Sequence, residues 1–484
     1  MVGASGRPPL LARTTVAKGN GRIMKTYWIE TWGCQMNVLD SEYLAGMLQA
    51  SGLAPVEDPQ DADVVLLNTC AVREKAVQKV LSRLGELRFL KQTVGKPEVI
   101  GLCGCVAEQE GARALAKSQV LDFVLGPGRI AQLPMALQAV HKGRRLSLTG
   151  FEETRDLDTH LIARSHSARQ YVTAIHGCNQ HCTFCIVPYT RGQEVSRPLA
   201  EIVSEVKALV ARGTLEVTLL GQTINAYRCP QTGADFADLL TAVCQVEGLW
   251  RVQFITSHPR FFDDKLIRTL GSLPRLGTYL HLPFQAGSNR ILKAMRRRYT
   301  REEYLELVAR VREVRPEVAL STDVIVGFPG ESEEDFEQTL DLVEKIRFSQ
   351  LYGFIFSPRP KTPAAKYPDR VPRAVAGERL ERLFAAQAAI ALSLNQALIG
   401  KVVEVLVDGP AKRGEGLWQG RGEDHRVVNF PGWEGIAAGQ LVEIRITGAT
   451  AHALLGERVA TGAREKEAAA NPLLPVAANA PVRP

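Results

Sequence analysis

Three times in its first quarter this chain runs through apolar residues into small or polar ones, reaches a cysteine, and continues into a helix-like stretch. The passages are Thr26-Tyr27-Trp28-Ile29-Glu30-Thr31-Trp32-Gly33-Cys34, Asp63-Val64-Val65-Leu66-Leu67-Asn68-Thr69-Cys70 and Glu98-Val99-Ile100-Gly101-Leu102-Cys103-Gly104-Cys105. Helical patterning follows over residues 40–50, 73–90 and 107–116. A βα alternation at intervals of about 35 residues predicts a parallel sheet with crossover helices. Each cysteine then follows the carboxyl end of a strand. In an open α/β sheet those ends share one edge, where ligands bind. Cys34, Cys70 and Cys105, far apart in sequence, can therefore converge.

The βα rhythm resumes at larger scale after a polar stretch. Strands are predicted over 171–175, 216–220, 251–255, 278–281, 319–325 and 351–356, with helices over 200–212, 236–246, 301–312 and 333–346. Six such units predict a partial β/α barrel, whose chemistry belongs in loops at the strand C-termini. The last block alternates Val403, Val405 and Val407 with polar neighbours and is punctuated by Asp408-Gly409-Pro410. It predicts a small antiparallel β-barrel of about 60 residues. The expected order is an extension (1–24), an α/β domain (25–146), a linker (147–163), the β/α barrel (164–395), the small barrel (396–460) and an Ala/Pro-rich tail (461–484). Both extensions are expected to be disordered.

Charge and cysteine usage narrow the function classes. The 484 residues carry 59 Lys and Arg against 52 Asp and Glu, a net charge of +7. That mild excess permits a polyanionic partner without requiring one. No apolar run approaches the roughly 20 residues of a membrane span, and residues 1–24 lack the apolar core of a signal peptide. A cytoplasmic protein without a membrane partner is expected. Nine cysteines, an odd number, argue against a disulfide framework and leave the clustered ones as metal ligands.

The tightest cluster is His176-Gly177-Cys178-Asn179-Gln180-His181-Cys182-Thr183-Phe184-Cys185, directly after the first barrel strand. Fully protein-ligated cubane clusters use four cysteines; three leave one iron open, and an open position separates catalytic metal sites from structural ones. In radical enzymes the amino and carboxylate groups of S-adenosylmethionine chelate that iron, and an electron from the cluster breaks the C–S bond to give a 5′-deoxyadenosyl radical. Two blander readings compete: a structural zinc site with His176 or His181 as fourth ligand, and a chance group of buried thiols. The spacing directly after a barrel strand favours the cluster.

With these residues the chain resembles the methylthiotransferase family of radical S-adenosylmethionine enzymes, over residues 25 to 460. It most resembles the branch that converts N6-isopentenyladenosine in tRNA to its 2-methylthio derivative. The motifs are Gly33-Cys34-Gln35-Met36-Asn37 with Asp40-Ser41-Glu42, Asn68-Thr69-Cys70-Ala71-Val72-Arg73-Glu74-Lys75-Ala76 and Gly104-Cys105-Val106-Ala107. Further on come Ile186-Val187-Pro188-Tyr189-Thr190-Arg191-Gly192, Leu219-Leu220-Gly221-Gln222, Thr256-Ser257-His258-Pro259, His281-Leu282-Pro283-Phe284-Gln285 and Asp323-Val324-Ile325-Val326-Gly327-Phe328-Pro329-Gly330-Glu331. Gln35-Met36-Asn37 stands where the branch acting on a ribosomal protein aspartate has Pro-Lys-Asn. The sequence departs from the family at Thr223, where Asn is usual, and at Lys361, where Gly is usual.

The resemblance implies two [4Fe–4S] clusters. Cys178, Cys182 and Cys185 would hold the radical cluster, and Cys34, Cys70 and Cys105 an auxiliary one. S-Adenosylmethionine would serve as both methyl donor and radical source. Cys103 reads as strand core. The carboxy-terminal block resembles a TRAM domain, which implies RNA binding. Its candidate phosphate contacts are Lys412, Arg413, Arg421 and Arg426, joined by Arg191 and Arg197 after the cysteine loop. Gly221, Gln222, Ser257, Gln285 and Gly327 are candidates for meeting the cofactor, each with an ordinary turn or hydrogen-bonding role as its alternative. The implied partners are a tRNA anticodon stem-loop, an external electron donor and a sulfur or cluster carrier protein, and the chain is expected to be a monomer. Other readings are a methylthiotransferase for threonylcarbamoyladenosine in tRNA or for a ribosomal protein aspartate, and a non-catalytic iron–sulfur protein that binds RNA.

Overall fold

The computed structural model describes residues 24–71, 74–151, 162–163 and 167–459, without the side chains of 74–78. The expected extension up to residue 23, the tail, most of the linker and the motif residues Val72 and Arg73 lie outside the described set, as do the side chains of Glu74, Lys75 and Ala76. Among the described residues no helix is long and apolar enough to cross a membrane.

The chain forms two compact units. The amino-terminal unit is a six-stranded sheet of β1 (Thr26–Trp32), β2 (Ala54–Pro55), β3 (Val64–Thr69), β4 (Val99–Gly104), β5 (Phe123–Leu125) and β6 (Leu146–Leu148). All pairs are parallel, in the order β2-β1-β3-β4-β5-β6. Every residue of β3 and β4 is buried, as expected of a parallel strand covered on both faces. The order reverses between β1 and β3, and such a switch point opens a crevice at the strand C-termini. The segment Tyr189–Gly192 belongs to this unit, not to the barrel in which the sequence reading placed it. Strand β6 also corrects the linker, since Leu146–Leu148 pairs with β5.

The second unit holds the two barrels. In the larger, β7 (Arg169–Thr173), β10 (Glu216–Leu220) and β11 (Arg251–Phe254) form one parallel sheet. A second is formed by β12 (Tyr279–His281), β13 (Ala319–Val326) and β14 (Gln350–Ile355). A single bridge, Val252 to Leu276, joins the β11 side to the approach to β12. The result is an open, partial barrel around one apolar core. The first strand ends two residues early: Ile175–His176 (β8) pairs antiparallel with Val195–Ser196 (β9) and aims the following cysteine loop. A 24-residue helix, Arg373–Gln396, leads from this barrel to the next.

The small barrel closes in the order β15 (Val402–Pro410), β16 (Leu417–Arg421), β17 (Val427–Pro431), β19 (Leu454–Arg458) and β18 (Leu441–Ala449). It is not wholly antiparallel, because β17 and β19 run parallel. Val405, Val407, Val428, Phe430, Ile444, Ile446 and Leu454 fill it, so the alternation read at Val405 and Val407 does mark the inward face.

Candidate functional site

In the amino-terminal unit Cys34 follows β1, Cys70 follows β3 and Cys105 follows β4. The switch point therefore lies between the first two. The Cys70 thiol is hydrogen-bonded to both other cysteines, so the three side chains meet. Those bonds pull Cys34 down to about 6 and Cys105 down to about 7, while Cys70 between them is pushed well up. Arg191 contributes to both depressions through its charge. Cys103, one step away, is fully buried, and burial raises its thiol; it packs in the core as strand patterning predicts.

The surrounding motif residues have structural reasons to be there. Asn37 Nδ2 donates to Asn68 Oδ1 at 3.2 Å, and Asn68 Nδ2 donates to the Asn37 carbonyl and to Ser41 Oγ, both at 2.8 Å. Both asparagines are fully buried and tie the helix after Cys34 to the strand before Cys70. Gly104 has φ +86°, and a Cβ there would stand 2.7 Å from the Thr69 carbonyl oxygen. Only glycine suits such a close approach.

Arg191, expected to meet RNA, is instead 3% exposed and paired to Asp40 at 2.6 Å. A guanidinium with so little surface has none to offer a polyanion. Its position makes it part of the cysteine site. Asp40 lies on the helix Gln35–Ala50, which Cys34 caps.

In the second unit Cys178, Cys182 and Cys185 lie in the loop after β8, at the C-terminal end of the barrel strands. The first two are buried and the third half-buried. Burial pushes Cys178 up and Cys185 to about 12. Each sulfur has hydrogen-bonding neighbours. The Thr223 hydroxyl is 3.2 Å from Cys178 Sγ, and the Gln180 backbone N–H donates to the same sulfur at 3.5 Å. Arg297 donates to Cys182 Sγ at 3.6 Å, and the Val187 backbone N–H serves Cys185. Among the described residues no three His, Cys, Asp or Glu side chains converge on a single-ion geometry.

The other predicted residues divide by position. Gly221 and Gln222 follow β10, Ser257 follows β11 and Gln285 follows β12, all at the same rim as the cysteine loop. The Ser257 hydroxyl is buried without a hydrogen-bond partner among the described residues, and so is Gln222 Oε1. Such orphaned atoms suit a polar ligand. Thr256, a β-branched residue at φ +69°, and Gln285 at φ +72° are strained conformations of the kind that gather at functional sites. Asn225 clamps the backbone on either side of the His258 side chain, accepting from its N–H at 2.8 Å and donating to its carbonyl at 2.9 Å. Gly327 differs: its N–H donates to the Glu331 carboxylate at 2.6 Å, and an added Cβ would stand 2.7 Å from Ala376. That glycine serves the turn and the packing of the long helix.

The basic candidates also divide. Arg197 pairs with Glu205 at 2.8 Å and donates to the Thr173 carbonyl. Arg421 donates to the His425 carbonyl at 3.1 Å, and Arg426 is held by Asp424 and Asn395. These three are engaged within the fold. Lys412 and Arg413 are exposed on the loop between β15 and β16. A cavity of about 660 Å³ lies at the opposite end of the barrel, lined by Trp250, Arg251, Thr278, Ala319, Lys401 and Asp424. Trp250, Arg251, Thr278 and Ala319 stand at strand N-termini, the end of a β/α barrel associated with stability and not with chemistry, and Lys401 and Asp424 belong to the small barrel.

Known proteins give the same picture. The Radical SAM superfamily matches residues 172–343, the Uncharacterized protein family UPF0004 residues 26–126 and the TRAM domain residues 396–459. The tRNA-2-methylthio-N(6)-dimethylallyladenosine synthase of Syntrophotalea carbinolica is 44% identical over 90% of this chain and 100% of its own length. The enzymes of the same name from Moorella thermoacetica and Thiobacillus denitrificans are 45% and 46% identical over 90% of this chain, covering 99% and 98% of theirs. The chain belongs to the radical SAM methylthiotransferase family.

For a radical SAM methylthiotransferase the fold likeness to solved structures is more distant. The radical S-adenosylmethionine methyltransferase TsrM from Kitasatospora setae, solved with cobalamin and a [4Fe–4S] cluster bound, superposes with a TM-score of 0.52 at 15% identity. It covers 71% of this chain and 74% of its own. Its tryptophan- and aza-SAM-bound form gives a TM-score of 0.51. Beside the two cysteine groups the structure adds Asn37, Asn68, Asp40 and Arg297, which the sequence does not single out as site residues, and gives Thr223 a contact to Cys178. Asn37, Asn68 and Asp40 stood inside quoted motifs, so a signal was there. Arg297 stood in a run of three arginines that reads as solvated.

Proposed function

We propose that this chain inserts a methylthio group at C2 of N6-dimethylallyladenosine beside the anticodon of tRNA. The observation that carries the reading is end-to-end similarity to relatives bearing that name, over 90% of this chain and nearly all of theirs. Two groups of three cysteines, each at a strand-end rim, support it.

In this reading Cys178, Cys182 and Cys185 hold one [4Fe–4S] cluster and Cys34, Cys70 and Cys105 a second. The orphaned polar atoms and the buried Arg297 beside the first group fit a charged, polar occupant. When bound, the first cluster supplies one-electron cleavage of S-adenosylmethionine, which suits an unactivated C–H bond that no side-chain base can deprotonate. The protein's own groups hold and shield. Thr223, Gln180, Val187 and Arg297 orient the three sulfurs by hydrogen bonds. Gln222, Ser257 and Gln285 line the rim where the cofactor's amino-acid end would lie. Asn225 fixes the turn that carries Ser257 and His258. Exposed Lys412 and Arg413 are left to meet RNA phosphate, and an unpaired anticodon loop presents the base better than a duplex. An external electron donor and a sulfur or cluster carrier complete the reaction, which a monomer carries out in the cytoplasm.

The test is product mass. Anaerobically reconstituted protein is incubated with S-adenosylmethionine, reductant and, separately, tRNA carrying dimethylallyladenosine, tRNA carrying threonylcarbamoyladenosine, and ribosomal protein. Methylthio transfer only to the first is expected. Transfer only to either of the others contradicts the substrate, and RNA binding without 5′-deoxyadenosine contradicts the enzyme.

A further inference from the structure

Arg296, Arg297 and Arg298 follow one another after the helix Asn289–Ala294. The outer two take left-handed backbone at φ +58° and +59° and are exposed, while Arg297 between them is 6% exposed. Two strained residues thus turn one guanidinium into the protein. Inside, its Nε donates to the Tyr299 hydroxyl at 3.2 Å, one terminal nitrogen to the Pro283 carbonyl at 2.9 Å, and the other to Cys182 Sγ at 3.6 Å. It also lies 5.4 Å from the centre of the Tyr299 ring. Among the described residues no carboxylate pairs with it; the acidic groups that face it are the Tyr299 hydroxyl and the Cys182 thiol. His258 nearby is kept neutral by burial and by this same positive charge, so it adds none. A buried cation without a counter-ion is costly. Here the missing negative charge falls on the cysteine side.

An oxidised cubane core on three thiolates is net negative, and reduction makes it more so. A fixed positive charge and an N–H···S bond both favour the reduced form, and hydrogen bonds to the sulfurs are among the levers that set such potentials. We propose that Arg297 is a positioning residue of the cluster site at Cys178, Cys182 and Cys185, where its buried guanidinium holds the Cys182 sulfur and balances the charge of the loaded site, raising its reduction potential. The inference rests on those cysteines holding a cluster. Arg191 is not its equivalent at the other group, because Asp40 shares that charge.

The experiment is an EPR-monitored redox titration of the loaded full-length protein, following the reduced-cluster signal that changes when S-adenosylmethionine is added. Iron is counted in parallel for Arg297→Met, Arg297→Gln and Arg297→Lys. Either neutral variant is expected to lower the reduced-to-oxidised ratio at fixed potential about tenfold, a shift of about 59 mV for one electron. Arg297→Lys should stay nearer the parent. A neutral variant with full iron and the parent's midpoint overturns the proposal. Loss of iron from both neutral variants but not from Arg297→Lys supports it, since charge is then required for loading. Equal loss from all three overturns it, since shape alone then matters. If instead Cys182→Ala retains all the parent's iron, the cluster assignment itself has failed.

Discussion

At the scale of single residues the two cysteine groups depend on neighbours that cannot be exchanged freely. Gly104, at φ +86° and close against Thr69, is the sharpest case. Gly104→Ala should destabilise the amino-terminal unit by about 2–3 kcal/mol, from a backbone region closed to other residues together with the clash. Denaturant midpoints would show it. His258 makes a pH-dependent case. Burial, reinforced by Arg297, Arg260 and Arg298, lowers it to about 2. The folded state therefore refuses a proton that the unfolded state accepts below its ordinary value near 6.5. Stability from this group is complete above that pH and is lost as pH falls below it, by about 1.4 kcal/mol per unit. Between pH 7 and 5.5 the parent should lose more stability than His258→Gln, by roughly 1 kcal/mol in urea titrations.

At the scale of elements the chain states its own boundaries in several places. The helix Glu333–Ile346 begins with a reciprocal box in which Ser332 caps Asp335 N–H and the Asp335 carboxylate accepts from Ser332 N–H at 2.8 Å. Ser332→Ala should cost about 1 kcal/mol, read as a lowered thermal midpoint. Strands such as β3 and β4 were legible because buried parallel strands are near-continuous apolar runs. The three-residue strands β5 and β6 were not, being too short for any periodicity to show. Strand β8 was missed because Ile175 and His176 continue the apolar pattern of β7 while changing partner. Cys34, Cys70 and Cys105 were legible as a pattern of strand ends and Cys178, Cys182 and Cys185 by their spacing, whereas Arg297 was not: nothing in Arg296-Arg297-Arg298 says which one turns inward. Only the left-handed backbone of its two neighbours decides that. Arg191 misled for the complementary reason, since its buried partner Asp40 lies 151 residues away.

At the scale of the whole second unit, charge joins the two barrels. Glu216, fully buried at the start of β10, accepts from Arg169 Nε and Arg251 Nε, each at 2.5 Å. Arg169 also pairs with Asp408 of the small barrel, Trp250 donates to Glu404 at 2.7 Å, and Tyr279 stacks on His425 at 4.8 Å. The small barrel is thereby fixed at the strand N-termini, across the large barrel from the cysteine loop. Glu216→Gln leaves two buried guanidinium groups short of a counter-charge and should cost about 3–5 kcal/mol, visible in equilibrium unfolding of this unit. Iron and sulfide content tests the proposed pair of separate three-cysteine cluster sites. Anaerobically loaded parent should carry about eight irons, and about four should remain when either Cys34, Cys70 and Cys105 or Cys178, Cys182 and Cys185 are replaced by alanine. A parent that saturates at about four irons, all lost with Cys178, Cys182 and Cys185, would contradict it.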